Sequence, residues 1–285
     1  MRWGERTYVM GILNVTPDSF SGDGVLAAAG ADQAAEAAVQ RGLAMLADGA
    51  DILDVGGEST RPGSRPVDAE TEQQRVVPVV RALRRATNAP ISVDTYRASV
   101  ARAALDAGAD LINDVWGLAM DPALAPLLAE RGAPVVIMHN RSKPKDAAQQ
   151  ERLGGRYIGV QYDNLLADVS SELAGLVEHA LQSGVSPERI ILDPGIGFGK
   201  TVSQNLYLLN HTDTLLGLGF PILVGTSRKS FIGYTLDAPP EDRLEGTAAT
   251  VALAIARGAH IVRVHDVRAM ARVARMTDAI LRATP

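Results

Sequence analysis

The chain has 285 residues, a formal net charge of −5, 46% apolar and 21% charged residues, and no cysteine. A mildly negative charge with no basic run or tail argues against a sequence-independent nucleic-acid partner. The missing thiols exclude disulfides, thiolate metal sites and cysteine nucleophiles. No apolar stretch approaches the ~20 residues that span a bilayer, and residues 1–6, with Glu5 and no apolar core, give no sign of a leader, so a cytoplasmic protein is expected.

Eight short apolar segments punctuate the chain, at 9–14, 51–56, 91–94, 111–114, 135–139, 190–193, 222–225 and 261–265. Alanine-rich stretches of helical character separate them. The first covers 31–48, with Ala34, Ala37, Ala38, Gly42, Met45 and Leu46 along one face and Gly49 as its stop. Others are expected over 96–107, after the opening pair Asp121-Pro122, and over 162–182, 204–216, 243–257 and 267–283. Glycine then alanine or proline recurs before the next apolar run, at 49–50, 108–109, 132–133, 219–221 and 258–259. Continuous apolar strands joined by helices mean a parallel sheet buried on both faces. Eight such units predict an α/β fold of the (β/α)8 TIM-barrel type, a single domain over 1–285. Long polar loops at 15–30, 56–68 and 140–162 fall on the rim where such barrels work, and those after the first and second strands are expected to be mobile.

Most strands end in polar residues, among them Asn14, Asp94, Asn113, His139, Asp193 and His265. Arg263 and His265 are two apart on one strand and so share a face; with Asn14 they suit an anion. The alternative is that Arg263 pairs with Asp266 or Asp54 and His265 is only a polar strand end. Asp94, Asn113 and Asp193 together suit a ring that offers N–H donors and nitrogen acceptors, although each aspartate could instead cap its following helix or contribute to a metal site. Lys229 in the 227–230 segment Ser-Arg-Lys-Ser is the cation expected to point inward; a charged surface loop is the bland alternative. The 195–201 segment Gly-Ile-Gly-Phe-Gly-Lys-Thr imitates a phosphate loop, but Pro194 stands where the first glycine is needed.

Several segments, taken together, resemble the dihydropteroate synthase family. They are the 10–21 run Met-Gly-Ile-Leu-Asn-Val-Thr-Pro-Asp-Ser-Phe-Ser, the 54–63 run Asp-Val-Gly-Gly-Glu-Ser-Thr-Arg-Pro-Gly, and 91–95, 112–114, 138–139, 193–198, 225–230 and 263–267. The resemblance covers the whole chain in the family's order. It implies a transferase of folate biosynthesis that condenses 6-hydroxymethyl-7,8-dihydropterin pyrophosphate with p-aminobenzoate, using Mg²⁺, in a homodimer. By position, Asp94, Asn113, Asp193 and Lys229 would bind pterin, and Asn14, Arg263 and His265 the pyrophosphate, with Asn14 on the metal. Thr60, Arg61, Pro62, Phe198, Lys229 and Ser230 would shape the p-aminobenzoate site, and Asp23, Arg263, His265 and Lys229 would be catalytic. The family's first-loop aspartate is displaced here by one residue, to Asp23 in Ser19-Phe20-Ser21-Gly22-Asp23-Gly24. Two other functions compete: a methyltransferase on the same pterin-binding barrel, which has no need for the 227–229 Ser-Arg-Lys or the 59–62 Ser-Thr-Arg-Pro present here, and a paralogue that binds pterin without turnover.

Overall fold

The computed structural model describes residues 1–15, 31–58, 67–143, 146–158 and 160–284. Most of the first two long loops, with Asp23, Thr60, Arg61 and Pro62, lies outside the described residues. Ten strands occur among the described residues: β1 (Tyr8–Asn14), β2 (Ile52–Gly56), β3 (Ile91–Asp94), β4 (Leu111–Asp114), β5 (Val135–Met138), β6 (Ala147–Ala148), β7 (Arg156–Tyr157), β8 (Ile190–Asp193), β9 (Leu223–Val224) and β10 (Ile261–Val264). The helices are α1 (Ala31–Ala47), α2 (Ala69–Ala86), α3 (Ala98–Ala107), α4 (Leu124–Arg131), α5 (Leu165–Gln182), α6 (Val202–Asn210), α7 (Ser230–Leu236), α8 (Leu244–Ala256) and α9 (Val267–Arg282).

Eight strands form one sheet in the order β8-β5-β4-β3-β2-β1-β10-β9, and every neighbouring pair is parallel. The last gap closes through a parallel bridge between Leu192 and Ile222, with the Leu192 N–H donating to the Pro221 carbonyl at 2.9 Å. The result is the expected eight-stranded α/β barrel. Strand pleating sorts the side chains into two sets. Val9, Leu13, Leu53, Val55, Ile91 and Val93 belong to the large cluster under the helices. Tyr8, Met10, Ile52, Leu111, Val136, Ile191, Leu223 and Ile261 form a second apolar cluster, the filling of the barrel. Two residues further along the same rows stand Asp54, Asn113, Asp193 and Arg263. The barrel is therefore apolar at its base and polar at the C-terminal ends of its strands.

The expected glycine stops hold at Gly108 and Gly132, both left-handed and both returning their N–H to the helix they end. Four expectations change. The 204–216 helix ends at Asn210 and continues as a 3-10 stretch, Thr212–Leu218, because the buried Thr212 hydroxyl donates to the Leu208 and Leu209 carbonyls and competes with the helical ladder. The fourth helix starts at Leu124, not at Pro122; Asp121 instead accepts the N–H of Ala98 at 2.8 Å and of Ala123 at 3.0 Å. The 140–162 loop contains the antiparallel pair β6–β7, anchored by tertiary bonds from Arg243 to Leu153 O and from Tyr234 to Gly154 O. The segment after β9 runs into a short helix, α7. Among the described residues no helix is long and apolar enough to cross a membrane.

Candidate functional site

The polar end of the barrel is organised by one guanidinium. Arg263 on β10 donates from Nε to Asp54 Oδ2 at 2.5 Å and from Nη2 to Asp94 Oδ2 at 2.8 Å. Asn113 Nδ2 reaches the same Asp54 oxygen at 3.3 Å. Strand register makes this meeting possible, since Asp94 pairs with Gly56 on one side and Asn113 on the other. Two buried carboxylates share a single cation. Burial pushes the Asp94 carboxyl up to about 7 against the pull of Arg263, and the neighbouring Asp54 adds to the rise. Burial works against the charge on Arg263, yet Asp54 and Asp94 outweigh it and hold its pKa above the usual arginine value. Asp54 Oδ1 and Ser92 Oγ, on register-paired residues, are buried with no hydrogen-bond partner among the described residues.

A second group faces this one. Asp193 ends β8, and its Oδ1 accepts the Gly195 N–H at 2.7 Å. Lys229 precedes α7; its Nζ donates to the Ile196 carbonyl and lies 4.5 Å from the centre of the Phe198 ring. Burial lowers the Lys229 amine to about 8 while Asp193 opposes the fall. Burial likewise raises Asp193, with Lys229 and the Gly195 N–H resisting. Ser230 opens α7 beside them. His265 follows β10; Ser227, after β9, has its Oγ 3.0 Å from His265 Nδ1 and accepts the His265 N–H at 3.1 Å, which fixes the ring. Asn14 ends β1 opposite Gly56. A Cβ built on Gly56 would lie 3.7 Å from both Asn14 Oδ1 and Asp94 Cβ, which places Gly56 between these two strand ends.

Two polar strand ends face the other way. His139 follows β5 one residue past the inward row; its Nε2 meets Glu172 Oε2 at 3.0 Å and its Nδ1 meets Lys200 Nζ at 2.9 Å. Burial and the adjacent Lys200 lower its pKa to about 3 and keep it neutral. It is not part of the barrel mouth where the sequence reading put it. Asp114 likewise turns outward and accepts the N–H groups of Trp116 and Leu118. The pleat decides both cases.

A cation between carboxylates, an amide and a second carboxylate–lysine pair suits a planar heterocycle carrying an anionic tail. Comparison with known proteins narrows this. Residues 10–265 match the pterin binding enzyme family. Dihydropteroate synthase of Bacillus subtilis is 48% identical over 281 residues, covering 99% of this chain and 91% of its own length. The chain belongs to the dihydropteroate synthase family. Its activity is that of a dihydropteroate synthase, a transferase of folate biosynthesis. The Xanthomonas albilineans dihydropteroate synthase solved with 4-aminobenzoic acid has a TM-score of 0.87 at 41% identity, over 98% of this chain and 95% of that one. The same enzyme with 7,8-dihydropteroate gives 0.84 at 38%, again over 98% and 95%.

In this dihydropteroate synthase family member, Asp94, Asn113, Asp193, Lys229, Asn14, Arg263 and His265 all stand at the C-terminal end of the barrel. Phe198, on the turn after β8, lies under Lys229 Nζ, and Ser230 follows Lys229 as the first residue of α7. The sequence reading gave Asp54 only as a rival partner for Arg263. The structure makes it a full member of the cluster, and the signal was its place two residues after inward-facing Ile52. The other rival, Asp266, is taken by Arg228, whose Nε lies 2.8 Å away. No group of three or more His, Asp or Glu that could hold a metal occurs among the described residues.

The raised Asp94 pKa has a thermodynamic consequence with a definite sign. A carboxyl whose folded pKa lies near 7, above its ordinary 3.8, favours folding fully only below the lower value and loses that contribution as pH rises to about 7. Asp94→Asn has no such titration. The stability of wild type relative to Asp94→Asn should therefore grow as pH is lowered from 8 to 5, measured by urea unfolding of both proteins. A pH-independent difference would mean that Asp94 is ionised throughout.

Proposed function

We propose that the chain performs its family's transfer through three adjoining subsites at the barrel mouth. Asp94, Asn113, Asp193 and Lys229 bind the pterin edge of 6-hydroxymethyl-7,8-dihydropterin pyrophosphate. Asn14, Arg263 and His265 hold the pyrophosphate. Phe198, Ser230 and Lys229, the last shared with the pterin, together with Thr60, Arg61 and Pro62 from the second loop, receive p-aminobenzoate. The observation that carries this reading is Arg263 fixed between Asp54 and Asp94 at the centre of the polar layer. An anchored guanidinium needs no reorganisation when charge develops on a leaving group, which is where electrostatic catalysis gains most. Departure of pyrophosphate precedes attack: the electron-rich dihydropterin supports positive charge at its exocyclic methylene, and the aniline nitrogen then adds. Asp23 accepts the proton that the amine loses, and the first two loops exclude water.

Asn14 offers a single neutral oxygen at the strand end. That suits Mg²⁺, which keeps several waters and takes one or two protein oxygens together with substrate phosphates. Bound there, Mg²⁺ would neutralise charge on the pyrophosphate. We also infer a homodimer. Helix α8 carries no charged residue after Glu245, and its outer Ala249 and Ala256 are exposed. On α9, which packs beside it, Met276 and Ile280 are each 62% exposed and one helical turn apart. A helix apolar on both faces needs a cover on each.

Mixing pterin pyrophosphate, p-aminobenzoate and Mg²⁺ should release pyrophosphate only when p-aminobenzoate is present. In that assay Arg263→Ala should lose about 10²–10³ in kcat, the scale of one charge-stabilising donor, and Asn14→Ala at least about tenfold less. Wild-type turnover in Arg263→Ala would end the assignment. Asp193→Asn replaces an acceptor with a donor against the pterin N–H edge, and calorimetry should find pterin affinity reduced at least about tenfold. Sedimentation should give a dimer for wild type and a monomer for Met276→Glu; a wild-type monomer would rule out the assembly.

A further inference from the structure

The glycine-rich turn at 194–200, which imitates a phosphate loop in sequence, binds its own lysine. Lys200 is 1% exposed, the largest fully buried side chain among the described residues. Its Nζ lies 3.0 Å from Gly195 O, 3.0 Å from Phe198 O and 2.9 Å from His139 Nδ1. Three acceptors match the three N–H groups of an ammonium. Burial pulls the amine down to about 7, while Asp193 supports its charge. The acceptor role of Nδ1 leaves the proton of neutral His139 on Nε2, donated to Glu172.

From the opposite side the same turn is held by Asn205 on α6, which is 2% exposed. Its Oδ1 accepts the Gly197 N–H at 2.6 Å, and its Nδ2 donates to Lys200 O at 3.1 Å and Thr201 O at 2.9 Å. The backbone admits no other residue at two points. Gly195 is left-handed, with φ +70°, and a Cβ there would strike the His139 carbonyl oxygen; Gly199, at φ +59°, would meet the Arg141 carbonyl carbon at 2.5 Å. Tyr162 completes the support by donating from its hydroxyl to Gly199 O at 3.0 Å.

What the turn presents to the barrel mouth is the Ile196 carbonyl, which accepts Lys229 Nζ, and the Phe198 ring beneath that same Nζ. We propose that Lys200 and Asn205 are positioning residues for the p-aminobenzoate side of the site, clamping the 194–200 turn so that Phe198 and Lys229 meet the aryl substrate in one geometry. The proposal rests on the reading of Phe198 and Lys229 as substrate groups. Removing the Lys200 ammonium takes the donor from the Phe198 carbonyl and leaves the Gly195 carbonyl with the Phe198 N–H alone, so the turn must shift to recover the lost bond. A displacement of about 1 Å at a substrate-facing group is enough to cost up to about 10²-fold. The pterin side depends on the turn less, because Asp94 and Asn113 are held by β3 and β4 and Asp193 ends β8, and the turn reaches that side only through the Gly195 N–H on Asp193 and the Ile196 carbonyl on Lys229.

The test is steady-state kinetics on Lys200→Met, which keeps the apolar stem, and on Asn205→Ala, with folding checked by circular dichroism. Each variant should raise the KM for p-aminobenzoate at least about fivefold more than it raises the KM for pterin pyrophosphate. Folded variants with both KM values unchanged, or with both raised equally, would overturn the positioning role, since a purely structural brace lowers stability without separating the substrates. If Lys200→Met does not fold, Asn205→Ala decides the matter by the same criteria. Phe198→Ala serves as the control. An unchanged p-aminobenzoate KM there overturns the substrate reading itself, whereas a raised KM there with none in the two braces overturns the positioning role alone.

Discussion

The polar end of the barrel depends on the charge balance around Arg263. Its guanidinium bonds to two carboxylates, Asp54 and Asp94, that arrive from different strands and have little water to solvate them. Removing one member of such a set leaves an uncompensated buried charge, whose cost commonly exceeds what the pair itself contributes. The arrangement therefore contributes little net stability and a great deal of definition. It fixes the plane of the guanidinium, binds β2, β3 and β10 together above the apolar filling, and places Asp94 where burial first and the charge of Asp54 second raise its pKa against the pull of Arg263. The opposing pair, Asp193 and Lys229, is set up differently. There a backbone N–H from Gly195 and a carbonyl from Ile196 hold the two side chains, so the loops rather than the strands control their geometry.

Under the proposed assignment the two substrates meet groups that are held in different ways. The pterin-facing groups proposed here sit mainly on strand ends, whose positions follow from an unbroken ladder of parallel pairing. The groups proposed for p-aminobenzoate sit on loops. One of those loops, 194–200, is braced by the buried Lys200 and Asn205 and tied through His139 to Glu172 on α5. Arg141 extends the same chain: its Nε lies 2.9 Å from Glu172 Oε1, and its guanidinium stacks 4.2 Å over Tyr162. The polar layer outside the barrel wall thus supports the loops inside the mouth. The helix side of the barrel takes part in shaping the site through hydrogen bonds as well as through packing.

A great deal of this was legible in the residues. Continuous apolar runs of four to six residues, broken by helices that stop at glycine, force a parallel sheet covered on both faces, and the number of runs implies closure. The Arg-x-His pattern on the last strand marks a shared face, and Asn113 and Asp193 stand where strands end. Long motifs spread over the chain carried the family. The hairpin β6–β7 was not legible, because two residues per strand leave no periodicity; it exists through Arg243 and Tyr234, which reach it from 80 or more residues away.

What the sequence determined by itself was the alternation of buried strand and helix and the stock of polar groups delivered to one rim. Pleating has a period of two, so those facts follow from spacing along the chain alone. What only the tertiary structure decided was the direction and partner of each group. His139 and Asp114 turn outward, Asp54 turns inward to join Arg263, and Lys200 bends back on its own turn. A single residue of offset reverses the face of a strand, and a buried charge takes whichever counter-charge the closed barrel brings within reach. Neither can be settled before the strands are in register.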